Sequence, residues 1–451
     1  MSVFKAYDIR GVWGKEFNED TVYRIGYFLP ELLNTDHVIV GRDVRESSPV
    51  IHDYLTKGIT DRGADVWDLG LSTTPMVYWA TTHLNAHASV QITASHNPAQ
   101  YNGLKISRTG ALPVGGDSGL KDLEKLVETG TVNVSEKKGT IKDYSFVKDE
   151  YVEYFLPLSK GLEDLKLSID ASNGMANLVV KDILANNSDI HYIYDTFDGT
   201  FPNHEPNPLE EKNCRDLEKE VIKNGSDCGV IYDGDADRVI FVDDKGQWIQ
   251  PDYVTAVIGY YYGKKGRKGN ALCDIRTSKS TTDWLEKNGW NCTLWKVGHA
   301  FAKVKIREIK GIFGGELAGH YYFQDFGNCD SGILASLLVL HVVKELKEEG
   351  RKLSDLLSEI ITYENSRETN FKLEDKDGAI KALYEKYAGD AEKVLDFDGY
   401  RIEYPDWWFN VRKSNTEPYL RIVAEAKSKE MLKDKMEEIS AIIHQFQSGG
   451  G

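Results

Sequence analysis

Ala88-Ser89-Val90-Gln91-Ile92-Thr93-Ala94-Ser95-His96-Asn97-Pro98 runs as an alternating apolar stretch straight into a polar loop. The alternation predicts a strand, and Asn97-Pro98 stops it, because a residue before proline is biased away from helix and the pair favours a turn. Ser95 is thereby displayed on a short stiff loop, with His96 beside it and Lys105 ten residues further on. A serine so placed can carry a phosphoryl group if a cation neutralises the charge. Taken alone, the hexapeptide Thr93 to Pro98 also reads as a simple turn capping a strand.

The pattern around this strand occurs three times. A short apolar strand ends in an acidic residue and a small-residue turn at Val38 to Asp43, Leu167 to Ser172 and Ala271 to Arg276. A helix-compatible stretch follows each, then a second strand at Ala64 to Asp68, Ile190 to Asp195 and Cys292 to Lys296. A third strand then ends in a polar loop at Ile92 to Ser95, Ile231 to Gly234 and Ile312 to Glu316. Strand–helix–strand alternation predicts α/β layers with ligand loops at the strand ends, and three copies predict three related domains. From about Tyr363 the pattern changes to strand-like pieces (Arg367 to Lys372, Gly399 to Tyr404, Trp407 to Arg412, Leu420 to Ala426) interleaved with amphipathic stretches at Lys376 to Tyr387 and Lys429 to Phe446. The expected division is 1–145, 146–250, 251–362 and 363–451, the last being an unlike α+β unit carrying its own loop.

A chain of 451 residues is too long for one core and suits this division. No run approaches the ~20 apolar residues of a membrane span, and Met1 to Gly11 carries charge instead of an apolar signal core. Five scattered cysteines form no CxxC pair, which points to a reducing cytoplasm. A net charge of −16 argues against nucleic acid or anionic membrane as a partner, while a local cationic cleft can still take an anionic small molecule. Ser448 to Gly451 reads as a flexible tail.

Asp233-Gly234-Asp235-Ala236-Asp237-Arg238 follows a strand, and three carboxylates at alternate positions can converge on a hard cation. A calcium EF-hand loop would need glycine where Arg238 stands; a surface acidic turn would conflict with the apolar runs on both sides. Gly314-Gly315-Glu316-Leu317-Ala318-Gly319-His320 ends the matching strand of the third repeat, where Glu316 can accept hydrogen bonds from sugar hydroxyls. Lys296-Val297-Gly298-His299 adds a cation and a titratable ring. Arg412-Lys413-Ser414-Asn415-Thr416-Glu417-Pro418 combines arginine, hydroxyls and turn N–H groups into a phosphate cradle, with Arg421 as an addition; a polar hairpin turn is the alternative.

These motifs, with Tyr7 to Gly11, Gly41-Arg42-Asp43 and Tyr101 to Lys105, resemble the α-D-phosphohexomutases, in the phosphomannomutase/phosphoglucomutase branch, over essentially the whole chain. The resemblance implies three similar α/β domains of mixed sheet plus a C-terminal α+β domain around a central cleft. It implies Ser95 as the phosphoserine, Mg²⁺ held by Asp233, Asp235, Asp237 and that phosphate, and Lys105 and His299 as proton-transfer candidates. Arg238 would steady the transferred group, Glu316 and His320 would meet the sugar, and Tyr7 and Arg10 would line the cleft. Arg412, Ser414, Asn415 and Thr416, with Arg421 as an addition, would hold the phosphate that is not reacting, and Arg276 would bind substrate. The implied reaction interconverts hexose 1-phosphate and hexose 6-phosphate through a hexose 1,6-bisphosphate, in a monomer or homodimer. Ala318 stands where many members have serine, and Arg276 where some have lysine. Leu317 and Tyr101 favour the mannose/glucose branch over phosphoglucosamine mutase. A phosphatase using Asp233 as nucleophile, and a non-catalytic sugar-phosphate binder, are the readings from other classes.

Overall fold

The computed structural model describes residues 2–414 and 419–447. The readings placed on Asn415 and Thr416, and the tail from Ser448, lie outside the described residues.

The first strand of each repeat is a run of aliphatic residues buried on both faces, as a sheet covered by helices requires. Val38, Ile39 and Val40 are fully buried, and Leu167, Ile169 and Ala271 match them. All three repeats share one strand order. Asp65–Leu71, His37–Arg42 and Ala88–Ile92 pair in parallel, and Tyr101–Arg108 closes the set antiparallel. The second repeats this with Ile190–Ile193, Leu167–Asp170, Cys228–Tyr232 and antiparallel Val239–Val242. The third uses Asn291–Trp295, Asn270–Asp274, Gly311–Gly315 and antiparallel Tyr321–Phe323.

The periodicity did not reveal the antiparallel fourth strand, which folds the chain back over the loop that ends the third. In the first domain that return strand delivers Lys105. The second domain also departs from the expected crossover helix. Where the first has a helix at Ser48–Arg62 and the third one at Lys279–Lys287, the second has a 3₁₀ turn, Met175–Leu178, and a single helical turn, Val180–Ile183. Asn186, Asn187 and Ser188 follow, residues whose side chains compete with helical hydrogen bonds; Asn187 donates to the carbonyls of Leu162 and Leu165.

The fourth sheet is wholly antiparallel, ordered Glu364–Asn365, Tyr419–Ala426, Trp407–Lys413, Tyr400–Glu403, Lys393–Leu395, with Thr369–Lys372 also on Tyr419–Ala426. Helices Lys376–Tyr387 and Lys429–His444 accompany it. The strand expected over 367–372 is shortened to Thr369–Lys372, because Arg367 adopts a left-handed φ of 61°, and a separate two-residue strand, Glu364–Asn365, precedes it.

Packing separates the fourth domain from the others. One continuous apolar cluster runs from Ile39 through Phe155, Phe241 and Phe313 to Leu346, joining the first three domains. The fourth has its own cluster around Phe409, Val411, Ile422 and Ile439. Its links to the third domain include polar ones, such as Arg401 Nη1 donating to the carbonyls of Ile275 and Thr277. Among the described residues no helix is long and apolar enough to cross a membrane, and all five cysteines are free.

Candidate active site

Ser95 sits where the Ala88–Ile92 strand ends, with a left-handed φ of 52°. Its N–H donates to Thr93 Oγ1 at 2.9 Å, which stabilises the tight turn. Its hydroxyl donates to Asp233 Oδ2 at 2.9 Å, across the first two domains. The approach is so close that a Cβ on Gly234 would lie 2.5 Å from the Ser95 carbonyl oxygen, so only glycine fits there.

Asp233, Asp235 and Asp237 are 0%, 0% and 1% exposed, which removes the surface-turn alternative. One oxygen from each lies within 4.8 Å of the others. Lys105 Nζ reaches Asp235 Oδ2 at 2.7 Å and Asp237 Oδ2 at 2.5 Å, and Thr74 Oγ1 also donates to Asp235. Burial alone would lower the Lys105 pKa, but Asp235 and Asp237 outweigh it and hold the amine as a charged donor. Burial, then Asp235 and Asp237, push Asp233 well above the usual carboxylate range. For Asp237, burial is overcome by Lys105 and then His320, which keep it low.

The other oxygens, Asp235 Oδ1 and Asp237 Oδ1, are buried with no hydrogen-bond partner. An unpaired buried carboxylate oxygen costs several kcal/mol-scale desolvation unless a cation takes it, so the residues present fit a hard divalent ion.

Arg238 turns toward the third domain, where its Nε donates to His320 Nε2 at 3.0 Å. His320 Nδ1 meets Asp330 Oδ2 at 2.7 Å, and Lys303 Nζ lies 2.8 Å from Asp330 Oδ1 with both groups fully buried. Both ring nitrogens of His320 are therefore engaged with protein groups. Glu316, buried, accepts from the Gly298 N–H at 3.1 Å, and burial pushes its pKa up. His299 stands 5.8 Å from the Tyr7 ring and 5.9 Å from the His320 ring; burial, then Lys303, hold it well below the ordinary imidazole range. Tyr7 donates to the Val297 carbonyl, and Arg10 reaches Asn97 Oδ1 at 2.6 Å.

Three predicted substrate-binding arginines lie at the third–fourth boundary against carboxylates. Arg412 pairs with Asp398 at 3.3 Å, and Asp398 also accepts from the Val297 N–H. Arg276 and Arg421 share Glu368, each at 3.1 Å. Ser414 follows the strand that ends at Lys413, its N–H donating to Tyr419 O.

Ser95, Lys105, Asp233, Asp235, Asp237, Arg238 and His320 thus form one network, with Glu316, His299, Tyr7 and Arg10 around it. Sequence reading missed Thr74, Asp330, Lys303 and Arg45. Nothing local marks the first three. Arg45 did carry a signal, because Asp43-x-Arg45 repeats as Asp274-x-Arg276 at the same point of the first and third units.

Four segments match family models for phosphoglucomutase/phosphomannomutase: domain I over residues 1–133, domain II over 149–246, domain III over 250–363 and the C-terminal domain over 368–442. The chain therefore belongs to the phosphoglucomutase/phosphomannomutase family and is a phosphohexomutase, an enzyme of phosphoryl transfer. Among its relatives is a phosphomannomutase of Salmonella montevideo, 38% identical over 439 residues, covering 95% of each chain. A phosphohexose mutase of Xanthomonas campestris is 37% identical over 451 residues, covering 98% of this chain and 99% of the other. A crystal structure of a phosphoglucomutase/phosphomannomutase family protein from Burkholderia thailandensis superposes with a TM-score of 0.88 at 28% identity, over 100% of this chain and 98% of that one.

Proposed function

We propose that this chain interconverts the 1- and 6-phosphates of mannose and glucose, with Ser95 as the phosphoryl carrier. The observation that carries the reading is the contact of Ser95 with a buried acid triplet whose Asp235 and Asp237 each keep one unpartnered oxygen. Asp233, Asp235 and Asp237, with a phosphate on Ser95, would hold Mg²⁺, which when bound supplies charge neutralisation at the transferring group.

The chain's own residues do the rest. The sugar hydroxyl oxygen attacks phosphorus as the Ser95 Oγ–P bond breaks, giving a hexose 1,6-bisphosphate; its second phosphate then returns to Ser95 Oγ after the sugar turns around. His299, held neutral, takes the hydroxyl proton, and Lys105 is the charged donor on the serine side. Arg238, oriented by His320, faces the transferred group, and Glu316 accepts from the sugar hydroxyls. Arg412, Ser414, Asn415 and Thr416, with Arg276 and Arg421, hold the idle phosphate, and Tyr7 and Arg10 close the cleft. The fourth domain, with its own core, is the unit that adjusts to alternate substrate ends. Domain limits at 145, 250 and 362, a cytoplasmic location and a monomeric or homodimeric state complete the reading.

The test assays purified protein with Mg²⁺ and trace hexose 1,6-bisphosphate against glucose, mannose and glucosamine 1-phosphates. Similar kcat/KM for the first two, little for the third, and loss of activity on chelation are expected. Preference for glucosamine 1-phosphate would move the enzyme to the other branch. Release of free phosphate without isomerisation would overturn the mechanism.

A further inference from the structure

Arg45 lies beneath the Ser95 loop at 1% exposure and uses all five of its N–H donors. Nη2 donates to Ser95 O at 2.8 Å and Asn97 O at 2.6 Å; Nη1 donates to Pro98 O at 2.7 Å and Tyr101 O at 3.0 Å. Nε donates to Asp43 Oδ2 at 3.2 Å, and Asp43 Oδ1 accepts from the Arg45 backbone N–H. Four carbonyls of one loop are therefore fixed by a single planar group. The second domain covers that group's face, with the Phe201 ring 5.0 Å from the guanidinium carbon. The loop bearing Phe201 has no slack, since a Cβ on Gly199 would lie 2.4 Å from Val44 O and 2.7 Å from Arg45 Cα.

The Ser95 backbone needs such a clamp. A left-handed φ is unfavourable for a residue with a Cβ and persists only where the surroundings over-determine it. Thr93 fixes the serine N–H, and Arg45 fixes the carbonyl side.

We propose that Arg45 is a positioning residue for phosphoryl transfer: it locks the Ser95 loop against the acid triplet, and Phe201 locks Arg45 from the second domain. The inference rests on Ser95 as the phosphoryl carrier. Arg45 is sealed beneath the loop, so its loss should disturb the alignment of the reacting oxygen and leave sugar binding alone.

The experiment measures steady-state kinetics of Arg45→Lys and Phe201→Leu full-length protein with Mg²⁺, mannose 1-phosphate and trace hexose 1,6-bisphosphate, beside Ser95→Ala and mass-spectrometric mapping of the phosphorylated residue. Lysine keeps the charge but offers three donors on one nitrogen. Arg45→Lys is expected to lower kcat by about 100-fold with KM within about 3-fold, the signature of misplaced reacting groups. Phe201→Leu is expected to lower kcat by about 5-fold, again without a KM change. Wild-type kcat in both variants, or a raised KM at unchanged kcat, overturns the inference. If Arg45→Lys fails to fold, Phe201→Leu decides alone, and a kcat within about 2-fold of wild type overturns it. Phosphate mapped to Ser95 beside inactive Ser95→Ala and normal positioning variants would sink this inference only. Phosphate mapped elsewhere would sink the role of Ser95 and this inference with it.

Discussion

The first and third domains begin their loops with the same three-residue device and put it to different ends. Asp43 and Asp274 each accept from the backbone N–H two residues on, at 3.0 and 2.7 Å, and each takes the Nε of that residue's arginine at 3.2 Å. In the first domain the guanidinium then turns inward, onto the loop that carries Ser95. In the third it turns outward, to Glu368 of the fourth domain, and the loop is held instead by Asp274 Oδ2 accepting from the Leu317 N–H at 2.8 Å. The second domain keeps the aspartate, with Ser172 N–H and His204 on Asp170 and no arginine. One local turn thus serves as a clamp on the Ser95 loop in one domain and as a tie between domains in another. The difference lies in what each arginine finds within reach.

The comparison can be broken most sharply at the loops themselves. If the first-domain loop carries the reacting atom, Ser95→Ala loses roughly 10⁴-fold in kcat, as removal of a covalent nucleophile does elsewhere; near-normal turnover would end the distinction. The third-domain loop should behave as a binding element. Glu316→Gln is expected to cost about 10–100-fold in kcat/KM, carried mainly by KM, since a hydrogen bond to a charged acceptor is lost. A collapse in kcat alone would place Glu316 in the chemistry.

A smaller effect is expected at the tie. Glu368 pairs with one Nη of Arg276 and one of Arg421, so Glu368→Gln should loosen its hold on both, turn more of their charge toward phosphate and lower KM by about 3-fold, the scale of a partly exposed ion pair. A raised KM would mean Glu368 organises these arginines and does not compete for them. The smallest is a pH effect at the same boundary. Burial, then Glu425, push Asp252 up to about 7, and its oxygens accept from Gln250 Nε2 and the Ser278 N–H. A carboxyl whose folded pKa lies above its unfolded one stabilises as the protonated acid. Its contribution is full below about pH 4 and is lost as pH rises through about 7. Thermal unfolding of the wild type should therefore lose about 2–4 °C between pH 5 and 7.5 that Asp252→Asn does not lose. Parallel curves would exclude Asp252 as the cause.

What the sequence revealed follows from what is local. The three strand–loop repeats, the Ser95 turn and the Asp233–Asp237 run are written in contiguous residues, so periodicity and turn chemistry expose them. Lys105 was legible through its family motif, yet its position opposite Gln91 depends on an antiparallel strand the periodicity had not disclosed. Asp330 and Lys303 were illegible because their meaning arises only from packing, with Lys303 Nζ 3.3 Å above the Tyr78 ring of another domain. Arg276 was legible as a cation but not as one already engaged by two carboxylates.

The pairing of Lys105 with the acid triplet has an electrical consequence. Counted fully ionised, three carboxylates against Lys105 and Arg238 leave one formal negative charge among largely buried groups. A phosphoseryl group would add a charge of about −2, and a divalent cation returns the total to where it began. Loading the serine and seating the cation are then two halves of one electroneutral exchange, and by linkage each tightens the other by the same factor.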